Sequence, residues 1–490
     1  MRLHLAGSLL GCVIATSLSL VSCGDDASSS WSPTRDGGDA SPDAQAADAP
    51  SDAAAEHATN ESGADGLSEA ASEAGVDASA PEGPALYPGD RTQSPITPWV
   101  VARMQEILDR DPTSRRDVFM KVGDSITYSD AFLDCFAGSN VDLDSHGSLQ
   151  PAIDLYKNAT VQGTSSFDRT SLCVEIGRTA YWAMTGTPPP VEKEMTATHA
   201  SVAVTMYGSN DIGWFGADHV GTLKWYHEHM LDLVDKLIDA GIIPILSTIP
   251  PRDDDASHDA WVPTLNAVVR AVAQGRQIPL VDFHRELLPL AEHGLGGDNL
   301  HPNSYAQGAC KLTPAGLGYG YNVRNLLTLE ALDRVRKSVL ASQGALDTDA
   351  PMLAGDGTAS SPFLIVGNPF TDLRDTSKSK SKTLGTYSGC SSNADESGPE
   401  YLYKLQVTKA SRVRAMVLDR GDVDVDIHLL DANANEAGCI SRGDTMVEAD
   451  LAPGTYHFSL DSFASSGVEH SGEFLFVMLL CDPGDPACTS

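Results

Sequence analysis

Three short strings in this chain carry residue types that can do chemistry together: Gly123-Asp124-Ser125-Ile126, Gly208-Ser209-Asn210-Asp211 and Asp298-Asn299-Leu300-His301-Pro302. Ser125 offers a hydroxyl on a tight turn, Asn210 a neutral amide donor on a second turn, and Asp298 a carboxylate three residues before an imidazole. A serine activated by a base, a base oriented by a carboxylate and a donor aimed at developing negative charge are what acyl transfer through a covalent intermediate requires. Taken singly the strings are weak. Asn is common in Gly turns because it tolerates left-handed geometry, and a lone Asp-x-x-His is more often a surface pair. Pro302 disfavours helical geometry at His301, so the Asp-His pair is expected in a turn, where the carboxylate can hold one ring nitrogen while the other faces Ser125.

Position gives the strings their weight. The apolar runs Val118–Val122 and Ser201–Met206 read as buried strands that end where the first two strings begin, and open parallel sheets bind ligands beyond their strand ends. Thr97 to Asp109 has helical spacing. His219 to Ala240 sets Leu223, Tyr226, Met230, Leu233, Val234 and Leu237 on one face, an amphipathic helix. Ile242 to Ile249 and Pro279 to Phe283 read as further strands, Asn266 to Gln274 as a helix, and Leu326 to Leu340 as a closing helix. Near-continuous apolar strands separated by helices predict an α/β fold with a parallel sheet covered on both faces.

The motifs, read in this order, resemble those of the SGNH hydrolases, the superfamily of the GDSL lipases and esterases. The resemblance spans about residues 115 to 340 and implies a flavodoxin-like three-layer α/β/α sandwich. It implies Ser125 as nucleophile, His301 as base and Asp298 as its partner. The oxyanion hole would be formed by the Ser125 amide, Asn210 and a glycine amide. Gly177, in Ile176-Gly177-Arg178-Thr179-Ala180, best fits that glycine, with Gly163 as competitor. The expected activity is that of a serine esterase acting on lipid or acylated polysaccharide, with no metal and no cofactor required. A non-catalytic surface adhesion or carbohydrate-binding protein and an acyltransferase using the same residues are the alternatives. Gly318-Tyr319-Gly320-Tyr321-Asn322-Val323-Arg324-Asn325 also looks like a subfamily signature, without a mechanistic role that the sequence supplies. The insert between Tyr128 and Cys173, with Asp142, Asp144 and His146, either shapes the pocket or is a surface excursion.

The remainder of the 490 residues says where this chemistry happens. Residues 1–22 read as a signal peptide, and Leu20-Val21-Ser22-Cys23 resembles a bacterial lipobox that would leave Cys23 as the lipidation site. Residues 23–95 read as a disordered tether, with fifteen acidic residues against Arg35 and Arg91 between Gly24 and Thr92. Such a segment has too little apolar area to offset its chain entropy. A lipid-anchored protein of the bacterial cell envelope, at the outer membrane or cell surface, is the expectation. The formal net charge of −34 argues against nucleic acid as a partner.

The hydrolase domain is expected over 96–345, a linker over 346–361, an all-β sandwich over 362–482 and a tail over 483–490. The sandwich resembles the jelly-roll-like bacterial pre-peptidase C-terminal domain through Ser397-Gly398-Pro399-Glu400-Tyr401, Asp422 to Ile427 and Ala452-Pro453-Gly454-Thr455-Tyr456. Asp422, Asp424 and Asp426 alternate along a strand and read as a solvated face in preference to a calcium site. Export permits disulfides, and Cys135–Cys173, Cys390–Cys439 and Cys481–Cys488 are the pairings favoured by domain and proximity, leaving Cys310 free.

Overall fold

The fold is taken from a computed structural model that describes residues 83–391 and 394–489. The expected signal peptide, Cys23 and most of the tether lie outside the described residues. Among the described residues no helix is long and apolar enough to cross a membrane.

Four parallel strands, β1 (Arg115–Gly123), β2 (Ala200–Met206), β3 (Ile243–Ser247) and β4 (Leu280–Val281), pair in that order. All of β2 and the second half of β1 are buried, as strands covered on both faces must be. Helices pack around the sheet in two groups, one including α1 (Pro98–Asp109) and α5 (Gly320–Val335), the other α3 (His219–Asp239) and α4 (Val262–Arg276). The α/β core predicted from the motifs is therefore present. On the outer side of β1, where a flavodoxin-like sheet would carry another strand, the described residues supply a single bridge, from Gly123 to Val174.

After the core come two antiparallel sheets. One contains Ser411–Asp419 and Glu473–Cys481 as central strands. The other is built around Glu400–Val407, Val425–Leu430 and Gly454–Ser462 and has a short parallel edge, Phe363–Leu364. Their inner faces meet over Tyr403, Val417, Ile427, Phe458 and Phe476.

The sandwich is not hung on a free linker. Met416, Leu418, Leu475 and Val477 belong to the same apolar core as the parallel sheet. Helix α4 lies between the two, so nearly all of Val262–Gln274 is buried and its pattern in sequence looks less one-sided than that of α3. At Gly275 a Cβ would fall 2.5 Å from the Leu373 Cβ, so the backbone itself touches the sandwich. Arg276 joins Asp235 on α3 to Glu473 in the sandwich. Arg414, fully buried, stacks its guanidinium 3.6 Å from the Trp261 ring centroid while its Nε donates to Glu448.

Three expectations need correction. The tether ends before Pro95: Ala85 and Tyr87 are buried, and their amides donate to the Gln277 and Gln274 side chains at 2.8 and 2.7 Å. The stretch expected as a linker is tied down too, with Leu86 N–H donating to Pro351 O and Leu346 N–H to Ile96 O. Cys135 pairs with Cys310, not with Cys173. The segment 131–142 is laced to 309–312 by Asn325, which donates to Ala131 O and Ala309 O, and by the Asp142–Lys311 bridge; this brings Cys310 to Cys135. Cys173 is instead buried beside the end of β1, its carbonyl accepting from Gly123 N–H, and is free. Cys390–Cys439 and Cys481–Cys488 form as expected. In the insert, Asp142 and Asp144 are exposed, but Phe136, Ile153, Tyr156 and Phe167 are buried in the core, so it is more than a surface excursion, and the Cys135–Cys310 disulfide braces it.

The acidic strand also differs from its reading as a solvated face. Asp422 is exposed, but Asp426 is buried next to Glu396 and Arg442. Among the described residues no cluster of acidic, His or Cys side chains has the arrangement of a metal site.

Because the two parts share one core, Arg414→Ala is expected to lower stability by about 2 kcal/mol or more through loss of a desolvated cation–π contact. Urea titration should show one unfolding transition moved to lower denaturant. Separate transitions for the two parts would contradict a common core.

Candidate active site

The Ser125 turn is built by close approach. Gly123 closes β1 at a point where a Cβ would lie 2.4 Å from Thr127 Oγ1 and 2.7 Å from Met206 O. Asp124 caps the one-turn helix α2 (Ser125–Tyr128), its Oδ1 accepting from Ile126 N–H at 3.0 Å. Ser125 thus opens a helix at the strand end, partly exposed, and its own N–H has no acceptor among the described residues.

The His301 imidazole that faces Ser125 comes from a turn 176 residues away. Asn299 takes a left-handed conformation at φ +57°, and Asp298 Oδ1 accepts from the N–H groups of Leu300 and His301 at 3.2 and 3.0 Å. This leaves Asp298 Oδ2 for His301 Nδ1 at 2.7 Å. Nδ1 donates there, so Nε2 is the acceptor for Ser125 Oγ, 2.8 Å away. Burial tends to raise the Asp298 carboxyl, but the bonds from the His301 ring and from two backbone amides outweigh it and hold the group below the usual carboxylate range. The segment is a turn, as Pro302 requires.

Asn210 follows β2. Gly208 is required there: it has φ +136°, and a Cβ would lie 2.8 Å from both Ile249 and Leu265. The Asn210 side chain reaches the Ser125 turn, with Nδ2 donating to Asp124 Oδ2 at 3.3 Å and to Arg178 O at 3.0 Å. Gly177 precedes that carbonyl in an exposed turn at φ +75°, so the structure places it on the segment next to Asn210. Gly163 makes the turn of a separate two-strand hairpin, Thr160–Val161 with Thr164–Ser165.

Four neighbours of the site lie within the quoted strings, but the sequence supplies no role for any of them. Asp124 is fully buried, and that burial pushes its carboxyl up to about 6. Asp211, also fully buried, accepts from Ala180 N–H at 2.9 Å; burial pushes it up to about 8, so it is protonated at neutral pH. The other two come from Gly318–Asn325, whose role the structure supplies. Arg324 donates to Ile126 O at 2.6 Å and Thr127 Oγ1 at 2.8 Å, and Tyr321 OH donates to Ile126 O at 3.2 Å. Burial pushes the Arg324 guanidinium down to about 10, and its charge faces the Phe132 ring at 3.7 Å. The helix that carries Ser125 is held by this pair. A run of mixed polar and apolar residues on a helix gives no hint that its polar members point inward.

The loop 251–261 connects the two halves of the site. Arg252 donates to Ser209 O and pairs with Asp254 at 2.7 Å, and Asp254 N–H donates to Asn299 O at 3.1 Å.

Residues 122–309 match the GDSL-like Lipase/Acylhydrolase family, and all three motifs fall inside that match. That match is to a family of ester hydrolases and covers less than half of the chain. Among solved structures it is similar to an acetyl xylan esterase from Geobacillus stearothermophilus, at 15% identity over 44% of this chain and 93% of that one, with a TM-score of 0.30. It is also similar to a GDSL-like lipase from Bacteroides thetaiotaomicron, at 13% identity over 48% and 98%, TM-score 0.28. The pre-peptidase C-terminal domain of a Bacillus anthracis collagenase matches at 12% identity over 23% of this chain and 90% of that one, TM-score 0.16. No curated protein sequence matches the chain.

The protonated Asp211 makes a testable statement about pH. The unfolded chain releases this proton near 3.8 and the folded chain near 8. The folded state binds the extra proton across that window, so stability falls as pH rises through it. Asp211→Asn is neutral at every pH. The melting temperature of the wild type relative to this variant should therefore drop between about pH 4 and pH 8; a difference that stays level would contradict the assignment.

Proposed function

We propose that this chain is a serine esterase in which Ser125 is the nucleophile, His301 its base and Asp298 the partner that orients the base. The observation that carries the reading is the unbroken relay of 2.8 Å from Ser125 Oγ to His301 Nε2 and 2.7 Å from His301 Nδ1 to Asp298 Oδ2. As Ser125 Oγ attacks an ester carbonyl, its proton passes to Nε2, and the imidazolium so formed is stabilised by Asp298. The proton then goes to the leaving alcohol. Water, deprotonated by the same imidazole, attacks the acyl-enzyme and releases the acid.

The tetrahedral oxygen needs donors already in place. The unbonded Ser125 N–H is one. Asn210 Nδ2 supplies a second from the hydrogen that now makes the long 3.3 Å contact to Asp124, while the 3.0 Å bond to Arg178 O keeps the amide oriented. Gly177 N–H is the third donor in this reading, supported by its place one residue before that carbonyl. In the same reading the protein is exported and anchored through a lipid on Cys23, which the lipobox-like tetrapeptide and the acidic segment after it support.

Ser125→Ala should abolish hydrolysis of short p-nitrophenyl esters by purified protein with its melting temperature preserved. Unchanged hydrolysis would refute the nucleophile. Asn210→Ala should lower kcat by about 10²–10³ with little change in KM, as removal of one oxyanion donor does. An effect confined to KM would move Asn210 to substrate binding.

A further inference from the structure

Six large apolar side chains stand in solvent on the segments that carry or flank the Ser125 site. Tyr128, Leu172, Ile176, Tyr181, Trp214 and Phe215 are each between 42% and 62% exposed. Exposed aromatics gathered at one place mark a contact surface, whereas isolated ones do not. Three of the six are joined through Trp225 on α3. Trp214 lies parallel to the Trp225 ring at 4.8 Å and 6°, Phe215 meets it edge-on at 6.1 Å, and Tyr181 tilts against it at 5.7 Å. One face of Trp214 is thus taken by Trp225, and its 48% exposure lies on the other face and the ring edge.

The rings are fixed relative to the reacting atoms. Trp214 N–H donates to Asp211 O at 2.9 Å, and Ala180 N–H, just before Tyr181, donates to Asp211 Oδ1 at 2.9 Å. Both ring-bearing segments are therefore pinned to the residue after Asn210. A rigid aromatic face loses little conformational entropy when something rests on it.

The surroundings select the occupant. Beyond α2 a cavity of about 390 Å³ is lined by Lys121, Asp130, Asp134, Arg169, Thr170 and Ser171. A long hydrocarbon chain laid there would strip water from charged groups without replacing it. Asp218 and Glu228 stand exposed close in sequence to the ring-bearing segments, while Glu175 is paired with Arg178 and Lys224 with Asp419, so these segments present no free basic cluster for an anionic bilayer. A pyranose fits both features. Its C–H face packs on a flat indole open to water, and its hydroxyls hydrogen-bond to polar and charged side chains of the kind that line that cavity.

We propose that Trp214 and Tyr181 form a stacking platform for a sugar ring, so that the ester presented to Ser125 is borne by an O-acylated glycan. This rests on the esterase reading above, and the test separates the two. In the full chain carrying Ser125→Ala, calorimetric titration with ester-free xylohexaose, cellohexaose and chitohexaose should show saturable binding of at least one. Adding Trp214→Ala should weaken that binding about tenfold, the scale of one lost aromatic stack, and Trp214→Phe should restore most of it. With Ser125 intact, Trp214→Ala should lower the ratio of kcat/KM on acetylated oligosaccharide to that on p-nitrophenyl acetate by a similar factor.

Absence of glycan binding, or binding indifferent to Trp214, overturns the platform. So does flotation with phosphatidylcholine vesicles that is lost in Trp214→Ala while the ratio is unmoved, which would make the surface a lipid contact. Hydrolysis that persists in Ser125→Ala overturns Ser125 as the nucleophile alone and leaves the binding result standing.

Discussion

Ser125 Oγ and His301 Nε2 must stay within 2.8 Å of each other although 176 residues separate them, and most of what is distinctive in this fold serves that contact. A hydrogen bond of this length tolerates only a few tenths of an ångström before proton transfer suffers. Neither partner sits in the middle of a strand or long helix. Ser125 opens a helix of a single turn and His301 closes a turn, so each must be held from outside its own element.

At the serine end the holding is steric and polar together. Gly123 lets the backbone of β1 run against Thr127 and Met206 O, and Asp124 caps the helix. Arg324 and Tyr321 then grip the Ile126 carbonyl from α5. At the histidine end Asp298 spends one carboxylate oxygen on the turn and the other on the ring, so the residue that orients the imidazole also shapes the backbone bearing it. Arg252 and Asp254 link that turn to the Asn210 turn. The same loop ends at Trp261, over which the sandwich lays Arg414. The β-domain thereby bears on the loop that bridges the site, as well as sharing its core.

How much of this was legible in the sequence follows from range. Ser125, Asn210, Asp298 and His301 could be picked out because each stands in a short string at a strand end or turn, and β1 and β2 announce themselves as unbroken apolar runs. The α/β class and the later β-rich part were legible for the same reason. What escaped depends on contacts distant in sequence. The Cys135–Cys310 pairing follows from Asn325 drawing two loops together, and no spacing encodes that. Arg324 and Asn325 stand in a string that looks like a signature, but their roles show only where the helix begins at Gly320 and turns them inward. Ala85 and Tyr87 lie at the end of a stretch whose composition is that of a free tether, yet two glutamines on or just beyond α4 hold them.

The most direct test of the central claim is labelling by a fluorophosphonate, which reacts with a serine only when a base activates it. Mass spectrometry of the digested adduct is predicted to find one modified serine, Ser125, in wild-type protein, and none after His301→Ala. An adduct on another serine, or labelling of Ser125 that survives loss of His301, would contradict the account.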